Sequence, residues 1–415
     1  MVNVSAESAR RFLVARQLLA PARSLEGGRD GVLEVFRRFG SVQYDPIDVA
    51  GRTHDLMLHA RVADYDSAWC DELYEQREIF EAFNKGLSFV YAPEFPWFRG
   101  RARASVQAVI DEHPEIGKRV LARIRKDGPL SSRDFEREHG NTTDWFGAPT
   151  NTVRALLEAY TAAGVLGLAR REGSRRYYDL LERLLPAKLR REVPWHEQLR
   201  HKLHSRYRVH GLLGVGGGGD IFSGIGPAKP DPRVPGHPGR TALREELIEN
   251  GDLVPVDVEG VRGKRLVLRE EVALLESPPE PPPSVAFLPP FDPLVWDRPL
   301  LASLFGFDYV WELFHPPAKR RWGWYVLPIL FGDRFVGRIE PRIDRAGGRV
   351  EVIGFWWEDG FDPKRADGFV EAMHDALAAY LRFARADRLE WASHLGGEKR
   401  LFRTGKSTAS DRAYL

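Results

Sequence analysis

The residues best suited to chemistry are Gln43 and Asp45, which flank Tyr44 in the stretch VQYDP. In a locally extended chain, side chains two positions apart project to the same face, so the amide and the carboxylate would stand together. An amide both donates and accepts hydrogen bonds, and a carboxylate can accept a proton. The local sequence by itself favours a simpler interpretation, a turn in which Asp45 caps the next helix ahead of Pro46.

Helices on either side should position this triplet. The first spans residues 30–40, where apolar side chains recur at i, i+3, i+4 and i+7 until Gly40 ends the stripe. These side chains are Val32, Val35, Phe36 and Phe39. A second helix is predicted from about Val49 to Val62.

Composition indicates a globular protein in which basic and acidic residues nearly balance over the whole chain. The chain has 415 residues, of which 43% are hydrophobic and 29% charged. This length suits roughly two to four domains. Its 61 basic and 59 acidic residues sum to a formal net charge of +2. Any surface for a polyanionic partner must therefore be confined to local basic runs.

The sequence contains no pattern typical of a metal site, a cofactor-binding loop or a membrane span. The single cysteine, Cys70, excludes an internal disulfide framework and a cysteine-rich zinc site, and it fits a reducing cytoplasm. The histidines of residues 196–210 match no familiar metal-ligand spacing. GVGGGGD, residues 214–220, lacks the Lys-Ser/Thr end of a phosphate-binding loop. The N-terminus is predicted to form a helix, and no stretch could span a membrane.

Helix and strand signals repeat along the chain. Residues 153–160 form another helical stripe, and residues 165–180 indicate two strands around a basic turn that contains Arg175 and Arg176. Helix, turn, helix and basic hairpin is the order of a winged helix. Residues 240–268 repeat this order, and the helices around the triplet would form a third, more divergent copy.

The last part of the chain changes character. Residues 277–284, SPPEPPPS, form a polyproline stretch that should link domains. Residues 322–360 then alternate apolar and polar side chains as an antiparallel sheet would, and a helix at about 362–386 closes the fold. The predicted parts are 1–118 (winged-helix-like, with the triplet), 119–190 (second winged helix), 191–276 (third winged helix) and 277–415 (linker and β-rich domain).

Several winged units in one chain favour nucleic-acid binding, although the same fold also serves as a protein-interaction module. The segment 188–210 contains seven Lys or Arg and two Glu. It could contact the phosphates of a nucleic-acid backbone, or it could be the solvent-exposed face of a helix. The KRRWGW segment could press against a nucleic-acid backbone or guard a sheet edge with charge. Its candidate contacts are Lys319, Arg320, Arg321 and Trp322.

Four segments carry a family resemblance: VQYDPIDVAGRTHDLMLHAR, GPLSSRDF, SRRYYDLLERLLP and the long block that begins FLPPFDPLVWDRPL. In this order they resemble the AlkZ/YcaQ-type DNA glycosylases, bacterial winged-helix enzymes that unhook DNA interstrand crosslinks. The resemblance covers nearly the whole chain. It implies an α+β protein with tandem winged helix-turn-helix domains and a C-terminal β-rich domain, C-shaped around DNA.

The resemblance also implies a chemistry. The triplet Gln43-Tyr44-Asp45 looks like the Gln-x-Asp motif of one branch of the family. A purine alkylated at N7 is cationic and departs without protonation, so the enzyme must stabilise an oxocarbenium-like sugar and activate one water. Asp45 would supply negative charge near C1′ and accept the proton, Gln43 would orient the water, and Tyr44 would anchor the motif in the core. Because a crosslinked base cannot swing out fully, the site should be shallow.

The expected function is that of a monofunctional DNA glycosylase without metal or cofactor, which hydrolyses the N-glycosidic bond of N7-alkylated purines and unhooks crosslinks during base-excision repair. No lysine adjoins the triplet in sequence to form a Schiff base, which favours hydrolysis over a lyase reaction. Arg52 and His54, just after the triplet, are candidates for contacts with phosphate or with the lesion, and a structural role is an equal alternative for each. Arg175 and Arg176 of the basic hairpin complete the predicted DNA contacts.

The expected partner is double-stranded DNA with alkylated or crosslinked purines, bound by a monomer in the cytoplasm, at the nucleoid and away from membranes. Two other classes of function stay open. One is a winged-helix transcriptional regulator without catalysis, and the other is an interaction scaffold without salt-dependent DNA binding.

Overall fold

The computed structural model describes residues 2–99, 104–135, 140–144, 147–173, 175–216 and 219–402 of a mixed α+β protein. The first elements are β1 (Val2–Val4), α1 (Ala6–Arg16), α2 (Arg29–Phe39), β2 (Ser41–Gln43), α3 (Thr53–His59), α4 (Ser67–Glu75), β3 (Ile79–Phe83), β4 (Leu87–Tyr91) and α5 (Phe95–Phe98). Strand β4 is the centre of a small antiparallel sheet in the order β2-β4-β3.

The predicted helix that precedes the triplet is confirmed as α2. Its apolar stripe is fully buried, and it ends at Gly40. Gly40 has φ 73°, a left-handed conformation that glycine adopts at little cost. Because β2 begins at the next residue, this turn sends the chain directly from the buried helix into the strand that carries Gln43.

The helix that follows the triplet is shorter than predicted. Residues 49–52 are not helical, and α3 begins only at Thr53. Gly51 has φ 109°, which a right-handed helix excludes, and the carbonyl of Val49 instead accepts a hydrogen bond from the amide of Ile343 at 2.8 Å. The segment after the triplet thus docks on the C-terminal sheet.

The middle of the chain contains the predicted helix and basic hairpin. Its elements are α6 (Ala104–Glu112), α7 (Pro114–Asp127), β5 (Asn141–Thr143), β6 (Pro149–Asn151), α8 (Thr152–Ala162), β7 (Leu166–Glu172), β8 (Arg175–Leu180) and α9 (Leu181–Leu184). Strands β7 and β8 pair antiparallel, and α8 buries its apolar stripe against α7 and this hairpin.

The segment after α9 forms a second group of helices and strands. The N-terminal strand β1 joins the sheet of this group. The elements of the segment are α10 (Trp195–His210), β9 (Leu213–Gly214), α11 (Arg240–Glu249), β10 (Leu253–Val258), β11 (Arg265–Leu268) and α12 (Val272–Glu276). Strand β1 pairs in parallel with β10, with Val2 opposite Val256, so the sheet order is β1-β10-β11-β9. This pairing crosses the predicted boundaries at 118 and 191.

The C-terminal part is the predicted sheet with one closing helix. Its elements are β12 (Val285–Phe287), α13 (Arg298–Phe305), β13 (Leu327–Phe331), β14 (Arg334–Asp344), β15 (Arg349–Trp357), α14 (Phe369–Ala384), β16 (Arg388–Trp391) and α15 (Gly396–Leu401). The five strands run in chain order, antiparallel except for the β15–β16 pair, which α14 connects. The closing helix begins at Phe369, later than predicted, because Gly368 before it is left-handed.

In the described ranges, every helix is too short or too polar to cross a membrane.

Candidate active site

The triplet begins in an extended strand, the condition under which its spacing brings Gln43 and Asp45 to one face. Gln43 is the last residue of β2 and lies opposite Ser88, and the amide of Tyr44 continues the pairing by donating to the carbonyl of Leu87 at 2.8 Å. The ring of Tyr44 turns toward the core, where it stacks on His54 with 5.0 Å between ring centroids. This packing fixes the opposite face of the strand, which carries Gln43.

Gln43 lies in the wall of a cavity of about 30 Å³. Its Oε1 atom is buried and has no hydrogen-bond partner. A cavity of this size holds one or two waters, and an unpaired buried acceptor is costly unless water or substrate satisfies it. The cavity joins Gln43 to side chains from three distant segments: Asn84, Lys85, His210, Phe291 and Trp296.

Asp45 is half-buried just beyond β2. Its Oδ1 atom accepts a hydrogen bond from the amide of Ile47 at 2.8 Å. Burial raises the pKa of this carboxyl, and the hydrogen bond from Ile47 partly opposes that rise. Among the described residues, no lysine or arginine forms an ion pair with Asp45. The predicted turn therefore exists, but Asp45 caps no helix, because α3 begins eight residues later.

Asp45 also interacts electrostatically with a tyrosine of the C-terminal part. Burial raises the pKa of Tyr325, and the negative charge of Asp45 adds to this rise. The Tyr325 hydroxyl shares a hydrogen bond of 2.7 Å with Thr53 at the start of α3. Asp45 thus lies where the N-terminal and C-terminal parts of the chain meet.

The opposite wall of the cavity comes from the PFDPLVWDRP block, and buried charges hold it in place. Arg61 and Asp292 are both fully buried, and Nη1 of Arg61 lies 2.7 Å from Oδ2 of Asp292. Arg265 and Asp297 form a similar pair at 2.5 Å. These pairs fix the segment that presents Phe291 and Trp296. Neither arginine carries a local signal of this role in the sequence, because only the fold brings them to the block.

Arg52 and His54, the two candidates after the triplet, both contact other side chains of the protein. His54 is fully buried and packs on Tyr44, an environment that favours the structural alternative for this residue. Arg52 is partly exposed, but its guanidinium pairs with Asp55 and, at 3.2 Å, with Asp71. These carboxylates hold Arg52 against α3 and α4.

The arginines of the basic hairpin are partly exposed and paired. Arg175 lies 3.0 Å from Asp134, and Arg176 lies 3.3 Å from Glu158. Each pair leaves about a third of the arginine side chain accessible, so either residue could exchange its carboxylate for a phosphate.

The KRRW segment is a loop before β13 rather than the tip of a hairpin. Lys319 and Arg321 are exposed, whereas Arg320 donates to the carbonyl of His315 at 2.9 Å. Trp322 is half-buried against Trp356, with 5.6 Å between ring centroids. The carboxylate of Glu312 accepts hydrogen bonds from three consecutive backbone amides and so shapes the loop: those of Arg321, Trp322 and Gly323.

Buried histidines should make stability depend on pH. Burial lowers the pKa of His54 to about 4 and that of His59 to about 3. Between these values and about 6.5 the unfolded chain binds more protons, so stability falls as the pH falls. In His59→Phe, which keeps a ring on Phe383, the loss of unfolding free energy between pH 6.5 and 5 should be smaller by about 2 kcal/mol.

Urea unfolding of both proteins across this pH range measures the difference. The exposed His394→Phe is the matched control. If the unfolding free energy of His59→Phe and that of the unaltered protein change equally with pH, the assignment of a buried neutral ring at His59 is contradicted.

In the ranges that the structure describes, no three His, Cys, Asp or Glu side chains are grouped to hold a metal ion.

Comparison with known proteins places the chain in a family. Residues 36–383 match the family model described as DNA glycosylase AlkZ-like. This span includes the triplet, the cavity and most of the C-terminal sheet. Among solved structures, the chain is similar to the Streptomyces sahachiroi DNA glycosylase AlkZ, with a TM-score of 0.60 and 17% identity. The match covers 94% of this chain and 100% of that one, which shows a shared fold. Because the family match covers most of its length, the chain belongs to the AlkZ-like DNA glycosylase family.

Proposed function

We propose that this DNA glycosylase hydrolyses the N-glycosidic bond of N7-alkylated purines, including purines joined in interstrand crosslinks, and that Gln43 and Asp45 carry out the reaction. The observation that best supports the proposal is the unpaired Oε1 atom of Gln43 beside a water-sized cavity. Family membership favours a glycosylase over a regulator without catalysis.

In the proposed reaction, a water attacks C1′ of the deoxyribose. The water donates one hydrogen bond to Oε1 of Gln43 and gives a proton to the carboxylate of Asp45. The C1′–N9 bond breaks, and its electron pair neutralises the charge of the departing alkylated purine. Because that base is already cationic, no acid is needed to protonate it. The raised pKa of Asp45 makes the carboxylate a better proton acceptor.

Activity should therefore fall on the acid side as Asp45 becomes protonated. Its pKa lies above the ordinary value, so the fall should begin at a higher pH than an exposed aspartate would give.

The structure also brings a lysine to the cavity. Lys85 is distant from the triplet in sequence, yet it lines the same cavity as Gln43. A lysine in this position could form a Schiff base with the sugar, which would give a lyase reaction. We propose the hydrolytic route, in which Gln43 and Asp45 activate a water, and trapping with borohydride distinguishes the two routes.

A duplex with a nitrogen-mustard crosslink and a duplex with a single N7-methylguanine test the proposal together. We expect release of free base and intact abasic sites from both, with no covalent protein–DNA adduct after borohydride reduction. A trapped adduct that Lys85→Met abolishes would show a lyase. Binding to a promoter-like site without base release would instead favour the transcriptional regulator, and the absence of salt-dependent DNA binding would favour the scaffold.

The remaining proposals concern how DNA is held. We propose that 119–190 and 191–276 act as winged helices, and that a monomer is C-shaped around duplex DNA. Both middle segments contain helices followed by an antiparallel strand pair. The predicted contacts with accessible cations are Arg175, Arg176, Lys319 and Arg321. We further propose that the protein acts in the cytoplasm, at the nucleoid.

A further inference from the structure

Three arginines line an open cleft of about 210 Å³, which shares no lining residue with the cavity beside Gln43. Arg99 follows α5, Arg125 lies in the last turn of α7, and Arg190 belongs to the basic segment 188–210. The other lining residues are Gly164, Val165, Leu180, Leu181 and Glu182. The fold thus brings three positive charges from separate segments to one opening.

The three arginines have few carboxylate partners. In the part of the chain that the structure describes, neither Arg125 nor Arg190 forms an ion pair, and neither does Glu182, the one carboxylate of the lining. Arg99 lies 3.7 Å from Glu192, whose side chain is 89% exposed, and such a pair contributes little. Three like charges without a counter-charge repel one another, and a bound anion would relieve this repulsion.

Hydrogen bonds to the backbone hold the arginines in place. Arg99 donates from Nη1 to the carbonyl of Arg190 at 2.5 Å, and Arg190 donates from Nε to the carbonyl of Leu185 at 3.0 Å. The carbonyl of Arg125 accepts from Nη2 of Arg183 at 2.5 Å. Within the described ranges, the guanidinium of Arg125 itself has no hydrogen-bond partner. The cleft is therefore formed before any ligand arrives, which lowers the cost of binding.

The basic segment 188–210 serves different purposes at its two ends. Within α10, Arg206 is buried and donates to backbone carbonyls, and Arg208 pairs with Glu94. These arginines stabilise the fold. Arg190, at the start of the segment, instead lines the cleft. Contact with phosphates is thus favoured for Arg190 over the buried arginines of the helix.

We propose that this cleft binds the sugar–phosphate backbone of DNA, with one phosphate held by Arg99, Arg125 and Arg190. A planar guanidinium matches the two free oxygens of a phosphodiester. The cleft also has an apolar side, where Val165 is 39% exposed. Inorganic phosphate would gain nothing from that surface, whereas a deoxyribose would pack on it. The inference rests on the proposed function, because it takes duplex DNA as the substrate.

Arg125→Gln is the most direct variant, because the guanidinium that it removes has no hydrogen-bond partner in the described ranges. Its melting temperature should stay unchanged. In fluorescence anisotropy, its affinity for an undamaged duplex and for one with N7-methylguanine should fall by the same factor, roughly ten-fold. The slope of log affinity against log salt should become shallower by about 0.9, the share of one phosphate.

Lys126→Gln is the matched control. It removes the same charge from the next residue of α7, which is exposed and does not line the cleft. Its effect on affinity should be much smaller than that of Arg125→Gln. Equal losses in the two variants would show a general effect of net charge and would overturn the site.

A neutral methylphosphonate, placed at one backbone position at a time, identifies the phosphate. The duplex carries N7-methylguanine on a 2′-fluorinated sugar, which resists base loss and fixes the register. At the phosphate that the cleft holds, the replacement should weaken binding of the unaltered protein roughly ten-fold and have little further effect on Arg125→Gln. Losses that add at every position would overturn the contact.

Titration with inorganic phosphate distinguishes the other source of this anion. If phosphate binds at the cleft and Arg125→Gln leaves DNA affinity unchanged, the site is one for a free anion and the proposal is overturned. The proposed function fails separately. A protein that releases no N7-methylguanine, but loses DNA affinity in Arg125→Gln and not in Lys126→Gln, would keep the backbone site and lose the glycosylase reaction.

Discussion

Asp45→Asn should lower the rate of N7-methylguanine release by about 10²- to 10⁴-fold, the usual contribution of a general base, with DNA affinity almost unchanged. Asparagine keeps an oxygen that can accept the hydrogen bond from Ile47, so the turn should survive. It cannot take the proton of the attacking water. Single-turnover release of base measures the rate, and anisotropy with an undamaged duplex measures affinity.

The same variant should be at least as stable as the unaltered protein. Because the pKa of Asp45 is raised on folding, its ionised form costs stability at neutral pH. Removing that charge removes the cost. Asp48→Asn is the matched control: Asp48 is exposed and pairs with Arg345 at 2.8 Å, so its loss should leave base release unchanged.

Gln43→Ala should also lower release, because the water would lose its acceptor at Oε1. Full activity in both Gln43→Ala and Asp45→Asn would remove the proposed mechanism.

Asp292→Ala should lower the free energy of unfolding by about 3–5 kcal/mol, since it leaves the guanidinium of Arg61 buried without its carboxylate. Arg61 also donates to the carbonyls of Gln17 and Met57, so it cannot turn outward to water without breaking these bonds. Urea unfolding measures the loss. The exposed Asp48–Arg345 pair is again the control, and breaking it should cost about 1 kcal/mol or less.

The double variant Arg61→Met with Asp292→Leu separates pairing from packing. Replacing both charges by apolar groups removes the burial penalty of each, so much of the lost stability should return. A double variant as unstable as Asp292→Ala would contradict this account. Asp292 also accepts a hydrogen bond from the amide of Leu294, so both variants should disturb the wall that carries Trp296.

Local patterns predicted much of the fold because their causes are local. The stripe of α2, the turn at Gly40 and the antiparallel strands β12–β15 each arise from signals within about ten residues, and the structure confirms them. The resemblance of four separate segments then identified the family, which no single segment could do.

Features that depend on distant partners were not predicted. The sequence THDLMLH of α3 has the polarity of a surface helix, yet all seven of its residues are buried. Its polar groups find partners from remote segments, as when Thr53 shares a hydrogen bond of 2.7 Å with Tyr325. The cavity itself depends on the pairing of Arg61 with Asp292, whose separation of 231 positions leaves no trace in local periodicity.

The pairing of β1 with β10 has a consequence for synthesis on the ribosome. Strand β1 finds its neighbour only after residue 258 has left the exit tunnel, because that neighbour is Leu253–Val258. Such distant pairing is slow, since the chain must close a loop of about 250 residues. Until then, nascent chains carry an open strand edge, and truncation before Leu253 would leave that edge exposed to other chains.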